Sequence, residues 1–423
     1  MGAMDVGSKS LVSSSLLLLS TGIGSGVMVL PKAMAAVGYL PMLAVLAVGS
    51  LLSAGTTWVL FLAVAEARQG AQDWPLLREG GGAEKSNGNP TVLHAPSSKQ
   101  RPSYADLLAT VTPRWGPVAL DVILIIYGEG ALVTYFIFIS NFVHKFDFWP
   151  SVLGEVETVA LAACAVFPAV LLPTVGGLAR FASAGIVALT LMTLGIWARE
   201  PAAASGRSGP LSAATRPERL PAVLCICVYA FMWHTNCVTV ARELRSPTPR
   251  RCAAVACGAT ALLYVVYATI AAGGYLSWAE DVLGTNSIVD MYAPGDPLFI
   301  AIRLALSSAL LVAIPINVYP IRESCVSLVG HLRPGYKLGF AGRALWGAGL
   351  VAFSAVVAML YPDAVFYITV LGGTLVSLMM MVFPALIART VLGCWAWRAF
   401  LAVCLAATAV LIPAGLGLIG EPV

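Results

Sequence analysis

Long apolar runs, repeated along nearly the whole chain and almost free of charge, constrain this sequence more than any other feature. About 20 apolar residues suffice for a helix to cross a bilayer. In lipid every backbone polar group must find its partner inside the structure, which leaves helices or closed barrels. Continuous runs of this length fit helices. Composition agrees: 59% of the 423 residues are hydrophobic and 11% are charged, with a mean hydropathy of +0.85. Soluble domains carry roughly 25% charge, and half of that cannot cover a water-facing surface of this size. The expected fold class is an all-α polytopic membrane protein, with the lipid bilayer as its surrounding partner. The formal net charge of +4 is small and dispersed, so no nucleic-acid partner is expected.

We read eleven spans, at about 10–36, 40–66, 117–143, 158–173, 178–198, 220–241, 252–276, 296–319, 342–361, 364–388 and 396–418. The fourth is short, and its pairing with the fifth turns on a break near Pro173. Residues 1–9 form a short segment before the first span. Lys9 ahead of Leu11 to Leu19 has the look of a signal peptide, but a second long span follows instead of a cleavage site. The polar stretch at 68–103 contains EGGGAEKSNGNP, which cannot bury enough apolar surface to fold, so a disordered loop is expected. Most of the 25 Lys and Arg fall on the side of the N-terminus. Only Lys32, Lys145, Arg199, Arg207, Arg216 and Arg219 lie opposite, and Arg303 lies within a span. By the positive-inside rule the N-terminus is expected in the cytosol.

No cofactor and no metal site are expected. The nine cysteines lie in apolar runs or at span ends, and Cys225 and Cys227, two apart on a helix, point away from each other. All nine are read as structural.

Two spans carry polar interruptions. The first reads LLLLSTGIGSGVMVLPKAM, with Gly22, Gly24 and Gly26 at spacing two among Thr21, Ile23 and Ser25. Glycine costs roughly 1 kcal/mol against alanine in a helix, so three together favour a locally unwound segment. Such a break exposes a half-helix N-terminus whose free N–H groups suit a carboxylate. A packing face is the other reading, since Gly22 and Gly26 are four apart. The sixth span reads PAVLCICVYAFMWHTNCVTVARELRSP, with Tyr229, Trp233, His234, Thr235 and Asn236 at mid-span and no glycine. There His234 is either a site group or a hydrogen-bonded structural one. Interruptions five spans apart are what the two halves of an inverted repeat produce.

The string STGIGSGVMVLPKAMAAVGY resembles the opening helix of the amino acid/auxin permease family, part of the APC superfamily and home to the system A and system N amino acid transporters. YAFMWHTNCVTVARELRSPTPRR resembles that family's sixth helix, with Trp233-His234-Thr235 where the family usually has Cys-His-Pro. RLALSSALLVAIPINVYPIRES, YADLL at Tyr104 and GYLSW at Gly274 are similar too. The resemblance runs from about 10 to 390. It implies a LeuT-like five-plus-five inverted repeat plus one extra helix: spans 1–5 over 10–198, spans 6–10 over 220–388, and the extra helix at 396–418. It also implies an amino acid held between the broken first and sixth helices.

Two departures bear on mechanism. Sodium-coupled members resemble one another in an Asn on the first helix and a hydroxyl on the eighth. Ser20 and Leu311 stand at those places here, with Ser307 one turn earlier. A hard cation wants several oxygens, so sodium coupling is not expected. The second departure is Glu129 in ILIIYGEGALVTYFIF, near the expected midplane, where a carboxylate is costly and is a functional candidate by default.

The expected function is therefore a secondary amino acid transporter, not an enzyme, working by alternating access. Coupling is expected to a co-transported proton through Glu129 or His234, or to be facilitative. The expected substrate contacts are Thr21 to Gly26 of the first span, Glu129, Phe231, Trp233 and His234. If Glu129 reads substrate, arginine or lysine becomes the cargo. A sensor that binds amino acids without moving them, and a membrane acyltransferase using His234, are the alternatives. Plasma membrane and vacuolar or lysosomal membrane fit equally well.

Overall fold

The computed structural model describes residues 9–22, 24–69, 102–113, 115–147, 149–150, 152–171, 183–333 and 338–423. Among them every named element is helical, and the isolated pairing of Lys9 with Leu244 is the sole β-bridge recorded. The protein is an all-α polytopic membrane protein. Among the described residues eight helices are long and apolar enough to cross a membrane, and a bent pair at the start of the chain would make a ninth.

That pair is α1 (Leu11–Gly22), followed by a tight turn of 3₁₀ helix (Ser25–Val29) that runs into α2 (Leu30–Val37). The two halves are bent by 64°, as three glycines in five residues allow. Next come α3 (Tyr39–Gln69), a short α4 (Tyr104–Ala109) and α5 (Gly116–Val143). Ser103 and Asp106 start α4 by bonding reciprocally to each other's backbone N–H. That arrangement satisfies two donors which a helix start would otherwise leave bare.

At the places of the expected fourth and fifth spans lie α6 (Glu155–Val170) and α7 (Ser183–Gly206). Neither is long and apolar enough to be counted as a span by itself: α6 has only 16 residues, and α7 carries Arg199, Glu200 and Pro201 within its last turns. The expected break at Pro173 and most of the expected loop at 68–103 lie outside the described residues.

The second half begins with α8 (Leu220–Ala230) and α9 (His234–Glu243), separated by three non-helical residues. Long helices α10 (Pro249–Trp278), α11 (Pro297–Leu332) and α12 (Phe340–Leu360) follow. The tenth expected span opens as α13 (Ala364–Leu371), widens through two π turns, and closes as α14 (Phe383–Ile387). The last helix is α15 (Cys394–Gly415).

The two broken spans define the centre. α1 packs against α9, and α2 packs against α8, so the two spans run antiparallel, as an inverted repeat requires. Around them α10 packs on α1, α2 and α3, while α5 lies along α11. Small residues let these backbones approach where lipid supplies no hydrophobic drive. Arg303, fully buried on α11, shows how a charge is kept there. Its guanidinium donates to the carbonyls of Val289, Tyr292, Ala293 and Pro294 at 2.5–3.4 Å, and hydrogen bonding of this kind offsets the cost of burying a cation.

Candidate functional site

The first break presents a helix start with no side-chain cap. Gly24 precedes the 3₁₀ turn with φ −133° and ψ −166°, extended backbone. It is exposed, and a Cβ placed on it would meet nothing within 4 Å. The first N–H groups of a helix lack intrahelical partners. Those of Ser25 and Gly26 lie at the positive end of a half-helix, in buried residues that directly follow the exposed Gly24.

Three hydroxyls gather at this start. Ser25 Oγ lies 3.1 Å from Thr134 Oγ1 of α5 and 3.2 Å from Tyr229 Oη of α8. Thr134 donates to its own helix at Ala131 O, 2.8 Å away. The ring of Tyr127 stands 6.0 Å from that of Tyr229, adding an aromatic wall from α5. The neighbourhood combines uncapped N–H groups, neutral hydroxyls and aromatic faces. That set can hold a small anionic group and orient what is attached to it.

The second break is built differently. Trp233 Nε1 donates to Thr57 Oγ1 at 2.9 Å, and His234 Nε2 lies 2.8 Å from Thr56 Oγ1. Ser53 Oγ donates to the Phe231 carbonyl at 3.4 Å. A polar stripe on α3 (Ser53, Thr56, Thr57) thus satisfies the unwound residues from one side. Phe231, Trp233 and His234 are all fully buried. Phe231 packs over Gly49, and Trp233 packs over Gly22 at a spacing no larger side chain would allow. His234 Nδ1 is buried without a partner among the described residues. Joining the two breaks is Tyr267 of α10, whose hydroxyl reaches Gly22 O at 2.9 Å and Ala230 O at 2.8 Å.

Of the residues expected at the site, Ser25 is brought together with α5 and α8 and Gly26 with α8, while Gly22 packs against Trp233 and Leu263 and Gly24 borders open space. Ile23 lies outside the described residues. Thr21 and Ser20 turn their hydroxyls back to Leu18 O and Leu17 O. Phe231, Trp233 and His234 line the α3 contact rather than the hydroxyl cluster.

Glu129 lies on another face of α5. Five residues along a helix at about 100° each turn it roughly 140° away from Thr134. It accepts a 2.5 Å hydrogen bond from Ser354 of α12, and its second oxygen is buried without a partner among the described residues. The carboxylate therefore takes part in the α5–α12 contact. On α11, Leu311 is partly buried and Ser307 Oγ is buried and has no partner among the described residues. Tyr229, Thr134, Tyr127 and Tyr267 were absent from the expected set.

One end of the broken pair is latched. Lys9 N donates to Glu243 O at 2.9 Å, Arg245 N donates to Lys9 O at 3.0 Å, and the Lys9 ammonium pairs with Glu243 at 2.9 Å. The start of α1 is thereby tied to the end of α9. Arg68 adds a bond from α3 to Leu244 O at 3.0 Å.

Residues 91–415 match the family described as "Transmembrane amino acid transporter protein". The chain is 26% identical over 359 residues to the Toxoplasma gondii protein named "Putative amino acid transporter AAT1", covering 84% of this chain and 45% of the relative. It is 27% identical over 163 residues to the human sodium-coupled neutral amino acid transporter 4, covering 38% of this chain and 29% of the relative. The chain thus spans less than half the length of these curated relatives. Among solved structures it is similar to a mutant manganese transporter of Eremococcus coleocola. That match has a TM-score of 0.55 and 10% identity, covering 97% of this chain and 88% of the other. It is also similar to MhsT in complex with L-phenylalanine, with a TM-score of 0.51 and 12% identity, covering 97% and 99%. At such identities the likeness speaks to the fold alone, and the fold is LeuT-like.

Proposed function

The chain belongs to the transmembrane amino acid transporter family, and on that premise we propose that it is a secondary active carrier moving amino acids by alternating access. The observation that carries this reading is the uncapped helix start at Ser25. It faces open space at Gly24 and sits within reach of Thr134 and Tyr229.

In this account the substrate α-carboxylate meets the N–H groups of Ser25 and Gly26, where the half-helix dipole favours an anion. The α-ammonium meets carbonyls of the unwound 231–233 segment. The side chain lies toward Tyr127, Tyr229 and Thr134. A wall of hydroxyls and rings supports a neutral substrate better than a cationic one. Arginine and lysine required Glu129 to face the substrate, and its bond to Ser354 weighs against that.

Coupling is proposed to a proton or to be facilitative. A buried carboxylate with one oxygen unpartnered among the described residues can gain and lose a proton during the cycle, and Glu129 is the stronger candidate. His234 is the second, since its Nδ1 is buried without a partner among the described residues. Sodium coupling is not proposed, because Leu311 supplies no oxygen where the eighth helix of sodium-coupled members has one.

The Lys9–Glu243 latch supports a state closed at the end that the Lys and Arg distribution assigns to the cytosol. Substrate must favour a closed intermediate for the cycle to proceed, since equal affinity for both states shifts nothing. The membrane is proposed to be the plasma membrane or a vacuolar or lysosomal one.

Counterflow tests transport against binding alone. Proteoliposomes loaded with an unlabelled neutral amino acid should accumulate the labelled compound transiently. Binding without accumulation would reassign the protein as a sensor.

A further inference from the structure

Tyr267 lies midway along α10 and is fully buried, with its ring edge-on to Phe231 at 5.3 Å. Its hydroxyl touches two carbonyls from different parts of the chain, Gly22 O at 2.9 Å and Ala230 O at 2.8 Å. Each is the last residue of a half-helix, Gly22 of α1 and Ala230 of α8. The last carbonyls of a helix have no intrahelical partner, and each terminus carries roughly half a negative charge. Two such ends converge here on one point.

A point of that kind, shut away from water, is satisfied by a cation or by a proton donor. The group present is a neutral hydroxyl. We propose that Tyr267 is a positioning residue that takes the place of a cation where the two broken helices meet. It holds their ends at the separation substrate binding needs, and this junction then works without an alkali cation. The inference rests on the carrier reading and adds to it a reason for sodium independence located away from Leu311.

The hydroxyl has a single proton, so it donates to one carbonyl at a time. Either half-helix can part from the junction while the other stays bonded. A fixed cation would hold both ends together for as long as it remained bound.

Two substitutions test this. Tyr267→Phe keeps the ring and its contact with Phe231 but leaves both carbonyls bare. A buried acceptor without its partner corresponds to roughly a tenfold effect. The expected result is a KM for uptake raised about tenfold, with no salt restoring it. Tyr267→Asn removes the ring and sets an amide oxygen beside the two carbonyls, and hard cations take oxygen ligands. Its uptake is expected to fall in choline medium and to recover in part with sodium or lithium. Its melting temperature as purified protein is expected to rise with those ions, while the wild type and the Phe variant do not respond.

A purely structural tyrosine would give no cation response in the Asn variant. The melting shift needs no transport, so it decides the junction even where the wild type moves no amino acid, a result that would defeat the carrier reading separately. A Phe variant with wild-type KM, or an Asn variant indifferent to alkali cations in both assays, would overturn the proposal.

Discussion

Replacing Gly24 by alanine separates the site from the scaffold. A Cβ on Gly24 meets nothing within 4 Å, and the backbone there, at φ −133° and ψ −166°, is one that any L-residue adopts. Gly→Ala in a compatible conformation stabilises a protein by about 0.4–1 kcal/mol, mainly by restricting the unfolded chain. The purified variant is therefore expected to melt at or slightly above the wild-type temperature. The added methyl group occupies the open space at Gly24, through which the substrate carboxylate is proposed to reach the Ser25 and Gly26 N–H groups. Displacing a charge-assisted hydrogen bond costs about 1.5–3 kcal/mol, which is roughly a 10- to 150-fold rise in KM. Gly26→Ala is the control. There the new Cβ falls 3.2 Å from Ala230 Cα and 3.0 Å from the Tyr229 ring, and backbone cannot swing aside. Overpacking of this sort costs about 1–3 kcal/mol, so Gly26→Ala should lose stability as well as uptake. Concentration-dependent uptake into proteoliposomes, beside melting of the same preparations, reads both quantities. A Gly24→Ala protein with unchanged stability and unchanged KM would refute the carboxylate placement.

Three further outcomes are expected. Thr134→Val removes the hydroxyl facing Ser25 while keeping shape, and should raise KM several-fold with little change in melting; an unchanged KM would take α5 out of the site. Glu129→Gln should abolish uptake driven by a proton gradient while leaving counterflow and surface expression intact, whereas proton-driven uptake in that variant would end the coupling role. Asp290, in the loop between α10 and α11, has its carboxyl pushed from 3.8 up to about 6 by burial, with Lys145 and Arg303 opposing the shift. A folded value above the unfolded one means that the folded state holds the proton more tightly. This contribution to stability is therefore full below about pH 4 and is lost as pH rises through about 6. Melting should fall across that window by an increment that Asp290→Asn removes, and equal pH profiles for the two proteins would count against it.

Much of the fold could be read from the sequence because a bilayer leaves few alternatives for apolar runs of this length. The first break was visible in its glycines. The second was marked only by polar residues, and the stripe that satisfies it (Ser53, Thr56 and Thr57, at helical spacing on α3) was present in the sequence but had no meaning until its partner was known. Three unwound residues reset the helical phase, so spacing could not tell which way Phe231, Trp233 and His234 point. Glu129 stood out as an intramembrane carboxylate, yet its face is set by how α5 rotates against α12. Tyr267 looked like one tyrosine among many, and its importance comes from two carbonyls remote from it in sequence. The number of spans is less plain in the structure than in the sequence, because α6 is short and residues 172–182 lie outside the described residues.

The most direct measurement is radiolabelled uptake of a neutral and a cationic amino acid into proteoliposomes, with sodium and pH gradients imposed separately. The account predicts that the neutral substrate is taken up, that an inward proton gradient drives or leaves unchanged its uptake, and that sodium has no effect. Uptake that requires a sodium gradient, or no uptake of either substrate under any gradient, would contradict it.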